Sequence, residues 1–347
     1  MMAALIRFSI RFPGVVIGFA LIILLYATFK IRHSPLNVFP EFSPTQVIIQ
    51  TESPGFSAEL VEALVSKPIE NSISGTIGIK QIRSQSIPGL SVVTVIFDDS
   101  TDILMNRQSI SERLSTLSNL LPREIIPIIT PLTSSASSVL GIGITSTSKS
   151  LSELRTIAET IIIPQLMSVS GVADVNRFGG LIKQFHVEID PKKLYRHQVT
   201  IQQILEAIKR SSSIQGSGYI ENDNQRIIIN AEGQTKTIED LGFATVNNIN
   251  NKAVQIKDVA DVKEGYAPSI SAVSINGEPG VYLSVQGQLG SNTYKLTQDL
   301  ESALDSIKPL LEKNETKLFP DLFKPANFID ASINGLRFDI IVGAILV

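Results

Sequence analysis

The 347 residues suffice for two or three domains and a sizeable core, and a hydrophobic fraction of 43% against 18% charged leans apolar for a soluble protein. A formal net charge of −3 leaves no basic footprint for a polyanion, which argues against nucleic acid as a partner. The chain has no cysteine, so disulfides, thiolate metal sites and cysteine nucleophiles are excluded together.

The first element in chain order is apolar. Between Arg11 and Lys30 lie about 18 uncharged residues, FPGVVIGFALIILLYATF, which as a helix would reach roughly 27 Å. A cleaved signal peptide is the rival reading, with Arg7 and Arg11 as its basic flank. The run is long for a signal core, however, and its exit, ATFKIRHSPL, is basic and lacks a small-x-small cleavage site. Residues 12–31 therefore read as a retained transmembrane helix. Lys30 and Arg32 balance Arg7 and Arg11, so flanking charge does not set its orientation.

A strand follows at QVIIQT (46–51). Helical spacing then runs from Ser57 through Leu60, Leu64 and Val65 to Pro68. Two β-branched runs, IKQIRSQS and SVVTVIF, meet at a Pro88-Gly89 turn. Ile103, Ile110, Leu114, Leu117 and Leu121 recur at helical spacing until Pro122. A strand around 138–145 comes next, and then a capping box, Ser150-x-x-Glu153. The helix it opens carries Leu151, Leu154, Ala158 and Ile161 before Pro164. Strands are expected at 172–178 and 184–190, and Thr200-x-x-Gln203 caps a helix bearing Ile201, Ile204, Leu205 and Ile208.

These stretches repeat. PIENSISGTIGIKQI from Pro68 and PQLMSVSGVADVNRF from Pro164 align Ser72 with Ser168, Ile73 with Val169, Ser74 with Ser170 and Gly75 with Gly171. A spacing of roughly 96 residues suits a duplicated small domain and is too long for a solenoid unit. Each copy reads β-α-β-β-α, and one more strand would make a split βαβ, ferredoxin-like unit. From about 214 to 265 the pattern changes to hairpins, one around Asn222-Asp223-Asn224 and one around Asn250-Asn251. A helix from Asn292 to about Glu312, with Leu296, Leu300, Leu304 and Ile307, returns to the second copy and makes the hairpin region an insertion. The chain closes on RFDIIVGAILV, where Ile340 to Val347 is an apolar run of roughly eight residues against the 20 a span requires. It reads as the start of a second transmembrane helix.

No reaction centre emerges. His33, His186 and His197 lack metal-site spacing and carboxylate company. Asp98, Asp99 and Asp102 in FDDSTDI invite a cation site, but Ser100 and Thr101 at a strand-to-helix junction predict a cap with acids at the helix's positive end. GQLGSNTYK (287–295) lacks the Gly-Lys-Ser/Thr of a phosphate loop, and G-x-S-x-G does not occur. Met105 and Met167 sit on helix-patterned stretches and are expected in the core. The site expectation is therefore no catalytic, cofactor-binding or metal residue, no cofactor, and no proton-relay residue before Val347.

LNVFPEFSPTQVIIQTESPGFSAELVEALVSKPIENSISG, PGLSVVTVIFDDSTDI and RQSISERL closely resemble the start of the resistance–nodulation–division (RND) efflux permeases, above all their heavy-metal and cation branch. GVADVNRFGG, GSGYIE and KDVADV (257–262) are similar to further landmarks of that family, and the resemblance runs the length of the chain. It implies an inner-membrane homotrimer with a periplasmic head, an adaptor and an outer-membrane channel as partners, lipid around its helices, and a cation or small molecule as substrate. The implied fold is α+β and membrane-anchored, with two ferredoxin-like porter subdomains, an inserted α+β docking subdomain, and one complete and one truncated transmembrane helix. By analogy, 1–33 holds the first helix and 34–135 the first porter subdomain. Residues 136–181 and 266–326 make the second, 182–265 the docking insertion, and 327–347 the approach to the second helix.

In that family the proton-carrying acids lie in the fourth helix, and the metal-binding methionines of the metal branch lie mostly in the C-terminal half. Neither region falls within this chain. Charges inside a membrane usually mark function, the first helix has none between Arg11 and Lys30, and Arg337 and Asp339 are expected at the interface. The expected role is the N-terminal part of a proton-driven transporter, not an enzyme, and inactive alone. The alternative is a membrane-anchored periplasmic binding or interaction module without transport.

Overall fold

The computed structural model describes residues 10–33, 43–122, 125–212, 219–222, 225–228, 235, 237–249, 252–269 and 271–346. The expected turn positions Asp223, Asn224, Asn250 and Asn251, and the GSG of GSGYIE, lie outside the described residues. The chain divides into two compact units. The first comprises Met1–Ile144, Glu159–Arg177 and Tyr282–Val347, the second Thr145–Ala158 and Phe178–Val281.

The first unit opens with α1, Pro13–His33 (21 residues). Its apolar side chains are exposed on every side, among them Val15, Ile17, Phe19, Ile22, Leu25 and Phe29. Among the residues whose side chains are described, no helix is long and apolar enough to cross a membrane; in α1 that set leaves out positions 24, 28 and 31–33.

The first repeat is a four-stranded antiparallel sheet built from β1 (Gln46–Glu52), β2 (Ile79–Ile87), β3 (Leu90–Phe97) and β4 (Ile128–Ile129). Its order, β2-β3-β1-β4, is that of a complete split βαβ unit. Gln46 faces Ile96 and Glu52 faces Leu90 across β1 and β3. The β2–β3 hairpin turns at Pro88-Gly89 as the sequence predicts. Pro88 supplies a fixed φ, and Gly89 the φ of +79° that other residues resist. Strict alternation places Val47 and Ile49 of β1 and Val93, Val95 and Phe97 of β3 on one fully buried face.

That face is covered by α2 (Ala58–Val61), α3 (Lys67–Ile73) and α4 (Ile103–Ser115). Between α2 and α3 the helix widens into a π turn, Glu62–Ser66, in which the Lys67 N–H reaches the Glu62 carbonyl five residues back. Pro68 has no N–H to donate, so the wider turn lets the helix run past it instead of stopping there. The extra residue rotates the buried stripe. Val61, Val65, Ile69 and Ile73 are fully buried, whereas Leu60 and Leu64, expected inside, are 47% and 43% exposed. From α4 onward Ile110, Leu114, Leu117 and Leu121 are buried as the spacing predicts.

The second repeat carries the same device. A π turn at Ala158–Ile162 separates α5 (Leu151–Ile157) from α6 (Ile163–Met167), again directly before the repeat's proline, Pro164. Ile162 is accordingly fully buried, while Ile161 is half-buried. Its sheet contains β5 (Thr133–Thr145), β6 (Val172–Gly179), β13 (Ser274–Ile275), β14 (Glu278–Gln288) and β15 (Lys317–Phe323). The order is β13-β14-β5-β15, with β6 also on β14, so β6-β14-β5-β15 reproduces β2-β3-β1-β4. Helix α11 (Thr293–Lys313) buries Leu296, Leu300, Leu304 and Ile307 as expected. After β15 the chain enters α12, Ala326–Leu346.

The local reading of 184–190 and of the Thr200 helix as the second copy's third strand and second helix does not hold. Gly179 and Gly180 both adopt positive φ, +73° and +75°, yet β6 pairs with β14 and makes no hairpin with the next strand. That strand, β7 (Lys183–Ile189), pairs instead with β12 (Ala260–Tyr266), His186 opposite Lys263. Both lie in the second unit, with α7 (Pro191–His197), α8 (Ile201–Ser212), α9 (Ile238–Phe243), α10 (Ile256–Val259) and the pairs β8–β9 (Tyr219–Asn222, Gln225–Ile228) and β10–β11 (Thr245–Ile249, Lys252–Gln255). Ile204 and Ala207 of α8 share its core with Leu241, Val254, Ile256 and Val259. The Thr200-Gln203 box forms: the Gln203 N–H donates to Thr200 Oγ1, and the Thr200 N–H to Gln203 Oε1 at 2.9 Å.

Candidate functional site

The first unit holds an apolar cleft of about 340 Å³ lined by Leu104, Pro131, Leu132, Ala173, Gln288 and Leu289. Its walls come from both repeats. Asp102 begins α4 by accepting the N–H groups of Leu104 (2.7 Å) and Met105 (3.0 Å), which leaves both of those side chains outside the core. The Gln288 N–H donates to the Gly171 carbonyl at 2.8 Å, and its amide donates to the Val172 carbonyl at 3.0 Å. The Leu289 N–H reaches the Leu132 carbonyl at 3.3 Å. These bonds fix the end of β14 against the start of β6 and the segment before β5. Gly171, the conserved point of the internal alignment, has φ +99° there.

A second, open groove of about 760 Å³ lies between α4 and residues 125–129. Arg107, Gln108, Ser111 and Ser115 line it from α4, facing the isoleucines 125, 126, 128 and 129. Arg107 donates from Nη1 to the Thr130 carbonyl at 2.8 Å, and burial pulls its guanidinium below the ordinary value. Neither hollow offers a carboxylate, imidazole or thioether. The first suits apolar contact, the second has one polar and one apolar wall, and neither suits the coordination of a hard cation or a proton-transfer step.

The candidate residues disperse. Of FDDSTDI, Asp102 is the cap of α4, and the Thr101 hydroxyl bonds the Asp98 carbonyl at 2.7 Å and the Asn106 amide at 2.8 Å, so the junction is a helix start as expected. His186 stands in β7 against the backbone of Gly265, where a Cβ would overlap its ring. His197 ends α7. Met105 and Met167 are 62% and 43% exposed, against the core expected for them, because the buried stripes of their helices pass through Ile110 and Leu166. In GQLGSNTYK, Asn292 caps α11 by accepting the Lys295 N–H at 3.0 Å, so that glycine-rich stretch is a turn into a helix. Among the described residues no group of three or more His, Cys, Asp or Glu side chains could hold a metal ion. The cleft residues were not legible as a set. Ala173 falls inside a repeat landmark and Gln288 inside the glycine-rich stretch 287–295, but nothing local marks Pro131 and Leu132 as their neighbours.

A family model described as the AcrB/AcrD/AcrF family matches residues 5–347. Among curated proteins, the Protein HelA of Legionella pneumophila is 31% identical over 354 residues, covering 100% of this chain and 34% of its own length. The Cation efflux system protein CzcA of Alcaligenes sp. (strain CT14) is 27% identical over 328 residues, covering 92% of this chain and 31% of its own. A solved structure, a heavy metal efflux pump in crystal form I, superimposes with a TM-score of 0.81 at 26% identity, over 95% of this chain and 33% of its own. The chain spans about a third of the length of the curated relatives it matches.

Proposed function

Because the chain belongs to the AcrB/AcrD/AcrF family, the RND efflux permeases, and resembles heavy-metal pumps within it, we propose that it is the N-terminal part of a proton-driven permease exporting metal cations or small toxic compounds. The observation that carries this is the pair of ferredoxin-like folds, alike in strand order and in their π turns, together with the match to a heavy metal efflux pump along nearly the whole chain.

In this reading 34–135 is the first porter subdomain, 136–181 with 266–326 the second, and 182–265 the docking insertion that faces an outer-membrane channel. Helix α1 is the first transmembrane span and α12 the start of the second, in the bacterial inner membrane, with the folded bulk in the periplasm. Support comes from side-chain placement: apolar residues are exposed around α1, and Leu336, Phe338, Ile340, Ile345 and Leu346 are exposed along α12. A helix apolar all round is stable when hydrocarbon or protein covers it. The apolar cleft and the half-polar groove contribute wall to a substrate path, as one protomer of a trimer that works with a periplasmic adaptor. Proton coupling and cation ligands come from the part of the permease after Val347, so this chain alone does not pump.

The test is cation accumulation in a bacterial host lacking heavy-metal efflux. The complete gene should lower cellular zinc, cobalt, nickel or cadmium, and residues 1–347 alone should lower none. Unchanged accumulation of all four with the complete gene, or export by residues 1–347 alone, would overturn the proposal.

A further inference from the structure

The tetrapeptide Ser-Ile-Asn-Gly occurs twice in the chain, at 274–277 and at 332–335. The two copies have different backbones. In the first, Asn276 and Gly277 are the two-residue turn between β13 and β14, with Ile275 opposite Glu278 and Ser274 opposite Pro279. Asn276 has φ +53° and Gly277 φ +87°, the left-handed pair that a tight hairpin turn takes. In the second, Asn334 and Gly335 lie in the middle of α12, helical from Ala326 to Leu346. All four residues are exposed, and a Cβ on either glycine would meet nothing within 4 Å. The charges of Arg337 and Asp339 directly follow the second copy and keep it at water. Backbone conformation is therefore what distinguishes the two.

We infer that Asn276 is a site of spontaneous covalent modification, deamidating through its own backbone, and that Asn334 in the same tetrapeptide is protected. The Gly277 amide nitrogen attacks Asn276 Cγ: an N–Cγ bond forms, the Cγ–Nδ2 bond breaks, and ammonia leaves with the proton the nitrogen gives up. Water then opens the cyclic imide at either carbonyl, leaving aspartate or isoaspartate, with nothing oxidised or reduced. Attack requires rotation about the asparagine ψ to bring nitrogen and Cγ together, and a following glycine, lacking a side chain, hinders it least. In α12 that rotation breaks the helix at its centre, where the Gly335 N–H is committed to the carbonyl four residues back. At the hairpin it opens only a two-residue strand at the end of its sheet. The hairpin is held by Ile275, buried and paired with Glu278, and by the Gly280 N–H on the Val273 carbonyl at 3.1 Å. Pro279, opposite Ser274, has no N–H to add. Short elements of this kind open far more often than helix interiors. Either product puts a carboxylate into the hairpin, and isoaspartate also lengthens the backbone of the turn. The chemistry is independent of any transport role.

The test is to hold the full chain in detergent at mildly alkaline pH and follow, by peptide mass spectrometry, the mass gain of amide turned acid at each asparagine. In the folded chain Asn276 should convert at least about tenfold faster than Asn334, because opening a hairpin end costs far less than opening a helix interior. In guanidinium, where the two copies lose their separate backbones, the two rates should converge. Leu336→Pro, at an exposed position, disfavours helical backbone at Gly335 and should raise the Asn334 rate without touching Asn276. Equal rates in the folded chain, or an Asn276 that stays amide while the unfolded chain reacts, would overturn the inference. So would an Asn334 that remains slow in guanidinium or beside the new proline, since the helix would then not be what protects it.

Discussion

Ile69→Ala and Leu64→Ala test the π turn before Pro68 directly. Each substitution removes three carbons, worth about 0.8 kcal/mol apiece when fully buried. Ile69 is fully buried in the first repeat's core. Its truncation loses about 2.4 kcal/mol of transfer energy and leaves a cavity, for a total of about 3–4 kcal/mol. Leu64 is 43% exposed, so the same loss costs only about 1 kcal/mol. The difference, about 2 kcal/mol, should separate the two thermal midpoints by about 4–8 °C for a unit of this size. Circular dichroism melts of the full chain in detergent would measure it. If the helix were regular through Pro68, the buried stripe would shift toward Leu60 and Leu64. Equal midpoints, or a lower one for Leu64→Ala, would refute the π turn and the rotation argued from it.

Asp102→Ala should destabilise the first repeat by about 1 kcal/mol through loss of the α4 cap, while Asp102→Asn, which still accepts both N–H groups, should be nearly silent in the same melts; a large loss with Asn would revive the cation-site reading. Gly141→Ala should cost about 1–3 kcal/mol by overpacking, because the new methyl would overlap the Tyr282 hydroxyl and lie 2.7 Å from Phe323 Cβ; an unchanged midpoint would show that β5 and β15 can part. The Glu153 carboxylate is held below its ordinary value of 4.5, first by the Ser150 N–H and then by the Ser150 hydroxyl. A carboxylate with a depressed folded value stabilises at pH above its unfolded value, and that contribution fades as pH falls through the folded one. Melts from pH 7 downward should therefore show a loss below about 4.5 in the native chain that is smaller in Glu153→Gln, and identical curves would sink the capping-box account.

Much of the architecture was legible because local physics sets it. The Ser150 and Thr200 boxes, the Pro88-Gly89 turn and the Ile110-Leu114-Leu117-Leu121 stripe each depend on residues a few positions apart, and all formed. The duplication was legible as well, through Pro68/Pro164 and Gly75/Gly171. Leu64 was misplaced because a π turn adds one residue to a helix without changing its composition. Met105 and Met167 were misplaced because a helical spacing does not say which face meets the sheet.

Composition and order by themselves determined the absence of cysteine chemistry, the apolar ends, the two repeated units and the caps that start their helices, since each is a property of the chain or of its near neighbours. Only the tertiary structure decided that β6 pairs with β14, from the far side of the insertion, and that β7 pairs with β12. A strand's alternation names the face it buries but not its partner, and even a Gly-Gly pair at positive φ, which a tight hairpin turn would accept, does not join β6 to β7 here. The cleft of Leu104, Leu132 and Leu289 was settled at the same level. Its members are distant in sequence, and the closing of the sheets brings them together.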